Sequence, residues 1–357
     1  MAKSSDQHLP LGAMVKHYEI RTVLGVGGFG ITYKAWDSIL ERAVAIKEFL
    51  PSDLALRESQ NPEVQARSDK VQDYRFALSR FLLEARTLAK FNHGNIVRVT
   101  DYVETNGTAY LIMDYVEGLA LSQYLRSHKT VGEKQLKTWF IPLLRGLAQV
   151  HAAGFLHRDI KPGNIYLRND GEPVLIDFGA ARQAIGEHSR SVTGIFTAGY
   201  APAEQYSTDA KLQGPWTDLY SIGATLYRCI SGSVPSDAPT RQSALVEGDP
   251  DPLQPAVEVG RDRYSDGFLR LVDELVILSA RKRPRSTQVV LEALQRGIAP
   301  SEVPEEVDED DAPTQVVAQP VSPPLVPGAG QPPPTPTERQ RAEAPTKVVG
   351  EEPTPED

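Results

Sequence analysis

Over 18–24, 31–36 and 43–49 the chain runs in short β-rich segments, with a glycine cluster at the first turn and polar residues at the second. This is the pattern of an antiparallel meander with one buried face. A polar, irregular stretch covers 51–68, after which a helical period places Ala77, Phe81, Glu84 and Leu88 on one face. A carboxylate on an apolar face needs a partner, because burying an uncompensated charge is costly. Two further strands are predicted over 97–102 and 109–113, with Asn106-Gly107 as the turn between them. Beyond Gly118 the pattern becomes helical, with strongly apolar segments over 139–152 and 218–230. The prediction is an α+β, bilobal chain: a loose leader over 1–17, a small β-rich lobe over 18–117 and a larger helical lobe over 118–299.

After Pro300 the pattern dissolves. Residues 300–357 hold fourteen of the 28 prolines and no aromatic residue, so they are expected to form a disordered, acidic tail rather than a core. Within it Ala312-Pro313-Thr314-Gln315-Val316-Val317 recurs as Ala344-Pro345-Thr346-Lys347-Val348-Val349. A docking motif and a coincidence of low-complexity sequence both fit that repeat. The tail carries thirteen acids against three bases, which accounts for the net charge of −9 and leaves the rest near neutral. No strongly basic surface points to nucleic acid as a partner.

The 357 residues are enough for one large bilobal domain. The single Cys229 sits in an apolar run and reads as a small buried thiol in a reducing compartment. The N-terminus lacks the plan of a signal peptide, and no apolar run approaches the length of a membrane span. A cytoplasmic location is expected, or the cytoplasmic part of a longer membrane protein.

The candidate chemistry begins at Gly25, Gly27 and Gly30, a G-x-G-x-x-G that is weak alone because dinucleotide-binding folds share the spacing. Those folds lead from strand to helix, whereas here a second strand follows, so the glycines sit on a hairpin whose amides can close over phosphates. Bare turn glycines would leave the same spacing. In Val44-Ala45-Ile46-Lys47 a lysine lies in a half-buried strand, where an ammonium calls for anions, and Glu84 is the carboxylate expected to meet it. The decisive segments are His157-Arg158-Asp159-Ile160-Lys161-Pro162-Gly163-Asn164 and Asp177-Phe178-Gly179.

On these motifs, over about residues 18–296, the chain resembles the eukaryotic-like (Hanks-type) serine/threonine protein kinases. The glycine loop and the long Lys47-to-Glu84 stretch look most like the bacterial branch. The resemblance implies a transferase that moves the γ-phosphoryl of ATP to protein hydroxyls, with Mg²⁺ or Mn²⁺ as cofactor. Asp159 would accept the hydrogen bond of the attacking hydroxyl, Lys161 would contact the γ-phosphate, Lys47 would orient the α- and β-phosphates, and Asn164 and Asp177 would hold metal. Gly25, Gly27, Gly28, Gly30, Thr32, Ala45, Met113, Asp114 and Val116 would line the nucleotide site. Glu204, Asp218 and Arg283 would brace the large lobe. Arg158 would read a phosphate on the activation segment, at Thr193 by similarity, while Thr197 would be a structural hydroxyl near Asp159 and Lys161. His157 is expected to pack rather than to act as acid or base. Thr32 replaces a common valine and Pro202-Ala203-Glu204 replaces Ala-Pro-Glu, neither removing a catalytic group. Thr314 and Thr346, each with valine three residues on, resemble phosphothreonine ligands of forkhead-associated domains. A nucleotide-binding pseudokinase scaffold is the main alternative, opposed by the full catalytic set. A small-molecule phosphotransferase is opposed by Thr197, Gly199-Tyr200 and Glu204.

Overall fold

A computed structural model describes residues 7–58, 61–178, 197–207 and 209–296. The small lobe is built on a six-stranded sheet of order β1-β2-β3-β4-β8-β7. Its strands are β1 (Met14–Val15), β2 (Tyr18–Gly27), β3 (Gly30–Asp37), β4 (Arg42–Phe49), β7 (Val99–Thr105) and β8 (Thr108–Asp114). Burial alternates along the strands: Ile31, Tyr33 and Ala35 of β3 and Val44 and Ile46 of β4 turn into the core. Helix α1 (Val71–Leu88) buries Ala77, Phe81, Glu84 and Leu88, the stripe predicted from its period, together with Tyr74 and Ala85.

Two expectations about this lobe are corrected. Residues 51–68 are not irregular throughout: β5 (Ala55–Arg57) and β6 (Val64–Ala66) pair as a separate hairpin. Nor is the leader loose from residue 7 onward. Leu9 is buried, its amide donates to the Tyr33 hydroxyl (3.0 Å), and β1 pairs with β2. Both segments are short and are held by side chains distant in sequence, so they leave little periodicity to read.

The large lobe starts at β9 (Gly118–Ala120), which pairs with β10 (Ile165–Arg168), itself paired with β11 (Pro173–Leu175). Gly118 has φ +156°, and a Cβ there would lie 2.2 Å from the Leu167 carbonyl oxygen, so only glycine fits the crossing. The helices α2 (Leu121–Ser127), α3 (Glu133–Ala152), α4 (Pro215–Ser231), α5 (Ala238–Glu247), α6 (Ala256–Val259), α7 (Asp266–Leu275) and α8 (Thr287–Arg296) follow. Helix α4 is buried from Thr217 to Tyr227, its polar Thr217, Asp218, Ser221 and Thr225 included, with α7 and α8 packed around the core. Cys229 is fully buried, and desolvation pushes its thiol up to about 12, consistent with a packing role.

The two lobes are stitched together beside the future site. Ile96 forms a parallel bridge with Leu175, whose amide donates to the Asn95 carbonyl (2.8 Å) and whose carbonyl accepts from Val97 (2.9 Å). No helix among the described residues is long and apolar enough to cross a membrane.

Candidate active site

The glycine hairpin joins β2 to β3, with Gly27 opposite Gly30 and Val26 opposite Ile31. Gly30 is required by the protein itself, since a Cβ there would meet the Glu48 carbonyl oxygen at 1.9 Å. Gly25 and Gly28 differ: nothing lies within 4 Å of a Cβ at either, so the fold does not demand glycine there. Across the hairpin, Thr32 is paired with Lys47 of β4, and Ala45 is paired with Met113 of β8.

Lys47 Nζ lies 3.1 Å from Asp177 Oδ1 and 3.5 Å from the Phe178 carbonyl oxygen. The expected Lys47–Glu84 ion pair does not occur among the described residues. Glu84 lies buried on α1, and Lys47 reaches across the cleft to the carboxylate just beyond β11. Asp177 has φ +62° and Arg158 has φ +65°, two left-handed non-glycine residues flanking the same space. Such backbone persists only where surroundings over-determine it.

Between α3 and β10, the loop carrying Asp159 is folded by hydrogen bonds of its own. Asn164 Nδ2 donates to Asp159 Oδ2 (2.7 Å) and to the Asp159 carbonyl (2.8 Å). Lys161 Nζ lies 3.1 Å from Asp159 Oδ1 and donates to Thr197 Oγ1 at 2.7 Å, while that hydroxyl donates to Asp159 Oδ1 at 3.2 Å. The structure thus brings Asp159, Lys161, Asn164 and Thr197 into one contact set. Because Thr197 follows Asp159 by 38 residues, the hydroxyl closes the loop over a long separation.

Two buried groups hold this loop, Asp218 and His157, and a third, Glu204, braces the lobe through Arg283 and Thr217. Asp218, in the first turn of α4, accepts from the amides of His157 (2.8 Å) and Arg158 (2.7 Å) and from His151 Nε2 (2.8 Å). Burial pushes its carboxyl up, but the His151 hydrogen bond and the neighbouring donors outweigh that and hold it below the usual carboxylate range. His157, fully buried, passes Nε2–H to the Ile176 carbonyl (3.0 Å) and accepts the Asp159 amide on Nδ1 (3.2 Å). Desolvation lowers its pKa, so the ring stays neutral and packs at 4.3 Å from Phe178. Glu204 is clasped by Arg283, with Nη2 to Oε2 at 3.0 Å, and accepts from the Thr217 hydroxyl at 3.1 Å. Arg283 also donates to the Ile277, Leu278 and Trp216 carbonyls.

Met113 is buried in β8, whereas the Asp114 carboxylate faces Arg42 at 2.8 Å, and Val116 packs against the core. Arg158 Nε donates to Gln213 (3.1 Å), and Gln205 Nε2 donates to the Arg158 carbonyl (2.9 Å). Thr193, Thr314 and Thr346 lie outside the described residues, as do Gly179 and the tail. Sequence reasoning missed His151, Gln205 and Gln213. For His151 the signal was available: it closes the apolar α3 stripe six residues before His157.

No group of three or more His, Cys, Asp or Glu side chains suited to a metal occurs among the described residues, so the site offers no all-protein cage. It does suit Mg²⁺, which takes one or two protein oxygens together with substrate phosphates. The Asn164 amide nitrogen is committed to Asp159, leaving its side-chain oxygen as a donor, and the Asn164 backbone carbonyl accepts from the Ile176 amide (2.9 Å), one residue before Asp177.

Residues 18–294 match the family model described as the protein kinase domain. The chain is 31% identical over 296 residues to serine/threonine-protein kinase PknA of Nostoc sp., covering 79% of this chain and 47% of that protein. It is 30% identical over 278 residues to PknL of Mycobacterium tuberculosis, covering 70% of this chain and 63% of the relative. The chain thus spans less than two thirds of the length of these curated relatives. Among solved structures it is similar to PpkA-294 in its apo form (TM-score 0.72, 36% identity, 81% of this chain and 99% of the other). Rad53 in complex with AMP-PNP shares the fold, at TM-score 0.58 and 22% identity over 79% of this chain and 65% of the other.

Proposed function

The chain belongs to the protein kinase family, in its bacterial serine/threonine branch, and on that premise we propose that it transfers the γ-phosphoryl of ATP to serine and threonine hydroxyls of proteins, its own chain included. The observation that carries the reading is the contact set of Asp159, Lys161, Asn164 and Thr197 facing the Lys47–Asp177 pair.

The transition state of phosphoryl transfer is loose and strongly anionic, so alignment and positive charge matter more than covalent help. Asp159 receives the hydrogen bond of the substrate hydroxyl and takes its proton as the oxygen forms the new bond to phosphorus and ADP departs. Lys161 and Thr197 fix the Asp159 carboxylate, and Lys161 offers charge to the transferring oxygens. Lys47 holds the α- and β-phosphates. Asn164 and Asp177 would hold Mg²⁺, which when bound would supply positive charge to the phosphate oxygens. Catalysis in this family needs the Lys–Glu pair in place. Lys47 therefore exchanges Asp177 for Glu84 in the active state, a change promoted by phosphate on Thr193 read by Arg158.

The tail extends the reading. Phosphate on Thr314 or Thr346 adds about −1.5 to −2 charges beside a valine at the third following position, and a forkhead-associated domain would read the two together. The test is intact-mass and phosphosite analysis after Mg-ATP incubation of the wild type, Asp159→Asn and a Thr314→Ala, Thr346→Ala double variant. A pull-down with a forkhead-associated domain accompanies it. Asp159→Asn is expected to lose about 10²–10⁴ in rate, the usual scale of general-base help, and only the active wild type should be captured. Full turnover in Asp159→Asn sinks the catalytic assignment. Equal capture of all three removes the docking alone.

A further inference from the structure

The small lobe contains a buried charge pair that the proposed chemistry does not use. Glu48 directly follows Lys47 on β4, so its side chain leaves the opposite face of the sheet from the cleft. It is fully buried, and its carboxylate is gripped by both terminal nitrogens of Arg57, one at 2.9 Å. Tyr33 of β3 donates to Glu48 Oε2 at 2.8 Å, and Arg57 Nη2 donates to the Tyr110 hydroxyl of β8 at 3.4 Å. Arg57 further donates to the Pro62 carbonyl (3.0 Å) and to the Gln7 carbonyl of the leader (2.9 Å). Burial first, and the Glu48 carboxylate second, push both tyrosine hydroxyls up, so they stay protonated.

The main chain around this pair bears the glycine hairpin. Gly30 packs with its α-carbon against the Glu48 carbonyl, the Leu50 amide donates to Phe29 O (3.1 Å), and the Ser52 amide donates to Gly28 O (3.1 Å). Segment 47–57 thus carries Lys47, supports the tip of the hairpin and ends at the residue that pins Glu48. A buried ion pair of this kind is weak evidence for stability as such, because desolvation offsets the attraction. Its fixed, two-pronged geometry is better suited to setting position.

We infer that Arg57 is a positioning residue for nucleotide binding: through Glu48 it fixes Lys47 and the glycine hairpin at the separation that ATP phosphates require. The inference rests on the kinase reading only in taking ATP as the ligand. Misplacement of such groups by about an ångström costs up to about 10²-fold.

The test measures the affinity for a fluorescent ATP analogue (mant-ATP) with Mg²⁺ in the full chain, well below each variant's melting midpoint, where a merely structural role would leave affinity unmoved. Arg57→Met is expected to bind about tenfold more weakly, and Arg57→Lys, which keeps the charge and loses the fork, about threefold. Hydrogen exchange over residues 25–31 should rise in both. Binding within twofold of the wild type in the folded variants, with only the midpoint lowered, overturns the inference. Should Arg57→Met not fold, Arg57→Lys alone decides. A wild type that binds mant-ATP yet transfers no phosphoryl group overturns the kinase reading, and the affinity ratio still decides for or against Arg57.

Discussion

Replacing Thr197 by valine removes one hydroxyl at almost constant volume. That hydroxyl accepts from Lys161 at 2.7 Å and donates to Asp159 at 3.2 Å. Each hydrogen bond to a charged group is worth about 1.5–3 kcal/mol net, but the two losses do not add. Lys161 keeps its 3.1 Å contact with Asp159, Asn164 keeps its 2.7 Å bond to the other carboxylate oxygen, and the half-buried lysine can recruit water. One bond's worth, about 1.5–3 kcal/mol, is therefore the expected loss of transition-state stabilisation, or about 10- to 150-fold in kcat/KM. The loss should fall mainly on kcat, because the hydroxyl touches the group that orients the acceptor and not ATP. Thr197→Ser keeps the hydroxyl and should stay within about threefold of the wild type by the same reasoning. The assay is steady-state phosphorylation of a protein acceptor with ATP varied, alongside a melting curve. Valine at wild-type kcat, in a folded protein, refutes the idea that this hydroxyl fixes Asp159.

Glu204→Ala leaves the buried Arg283 without its carboxylate, a change that typically costs about 3–5 kcal/mol. Three carbonyls still accept from Arg283, so the lower end applies: a fall of about 6–12 °C in melting midpoint at about 2–4 °C per kcal/mol, and a fall under about 3 °C contradicts it. His157 is held neutral in the folded state, its pKa lowered by burial, so below about pH 6.5 the unfolded chain gains a proton that the folded chain does not. Stability is therefore full above that pH and is lost as the pH falls toward the folded-state value, by up to about 1.4 kcal/mol per pH unit. Urea midpoints from pH 7 to 5 should show this slope in the wild type and a shallower one in His157→Gln; equal slopes count against it.

The residues proposed as catalytic were legible because phosphoryl transfer restricts residue types and packs them into short runs. Asp159, Lys161 and Asn164 share one loop, and Asp177 begins another, so their order alone carries the chemistry. Glu84 was legible as buried from the helical period, yet its pairing was not. Which carboxylate Lys47 meets depends on how α1 and the end of β11 sit across the cleft, and periodicity is silent on that. The β5–β6 hairpin and the seated leader escaped for a related reason. Each is fixed by side chains far away in sequence, Arg57 on Glu48 and Tyr33 on Leu9, and three-residue strands give alternation too little length to register. Thr197 was legible as a structural hydroxyl only through family likeness.

The seam at Leu175 sets how the cleft can move. Asn95 and Val97 both bond to the backbone of that residue, and the chain crosses between lobes a second time near Val116. Two fixed crossings define an axle, and a body turning about an axle moves least close to it. Asp177 lies two residues beyond Leu175, next to one crossing, while Gly28 stands at the tip of the β2–β3 hairpin, which neither crossing includes. Opening and closing the jaws would therefore swing the glycine hairpin through a wide arc and leave the Asp177 carboxylate nearly still, a moving roof over a stationary floor.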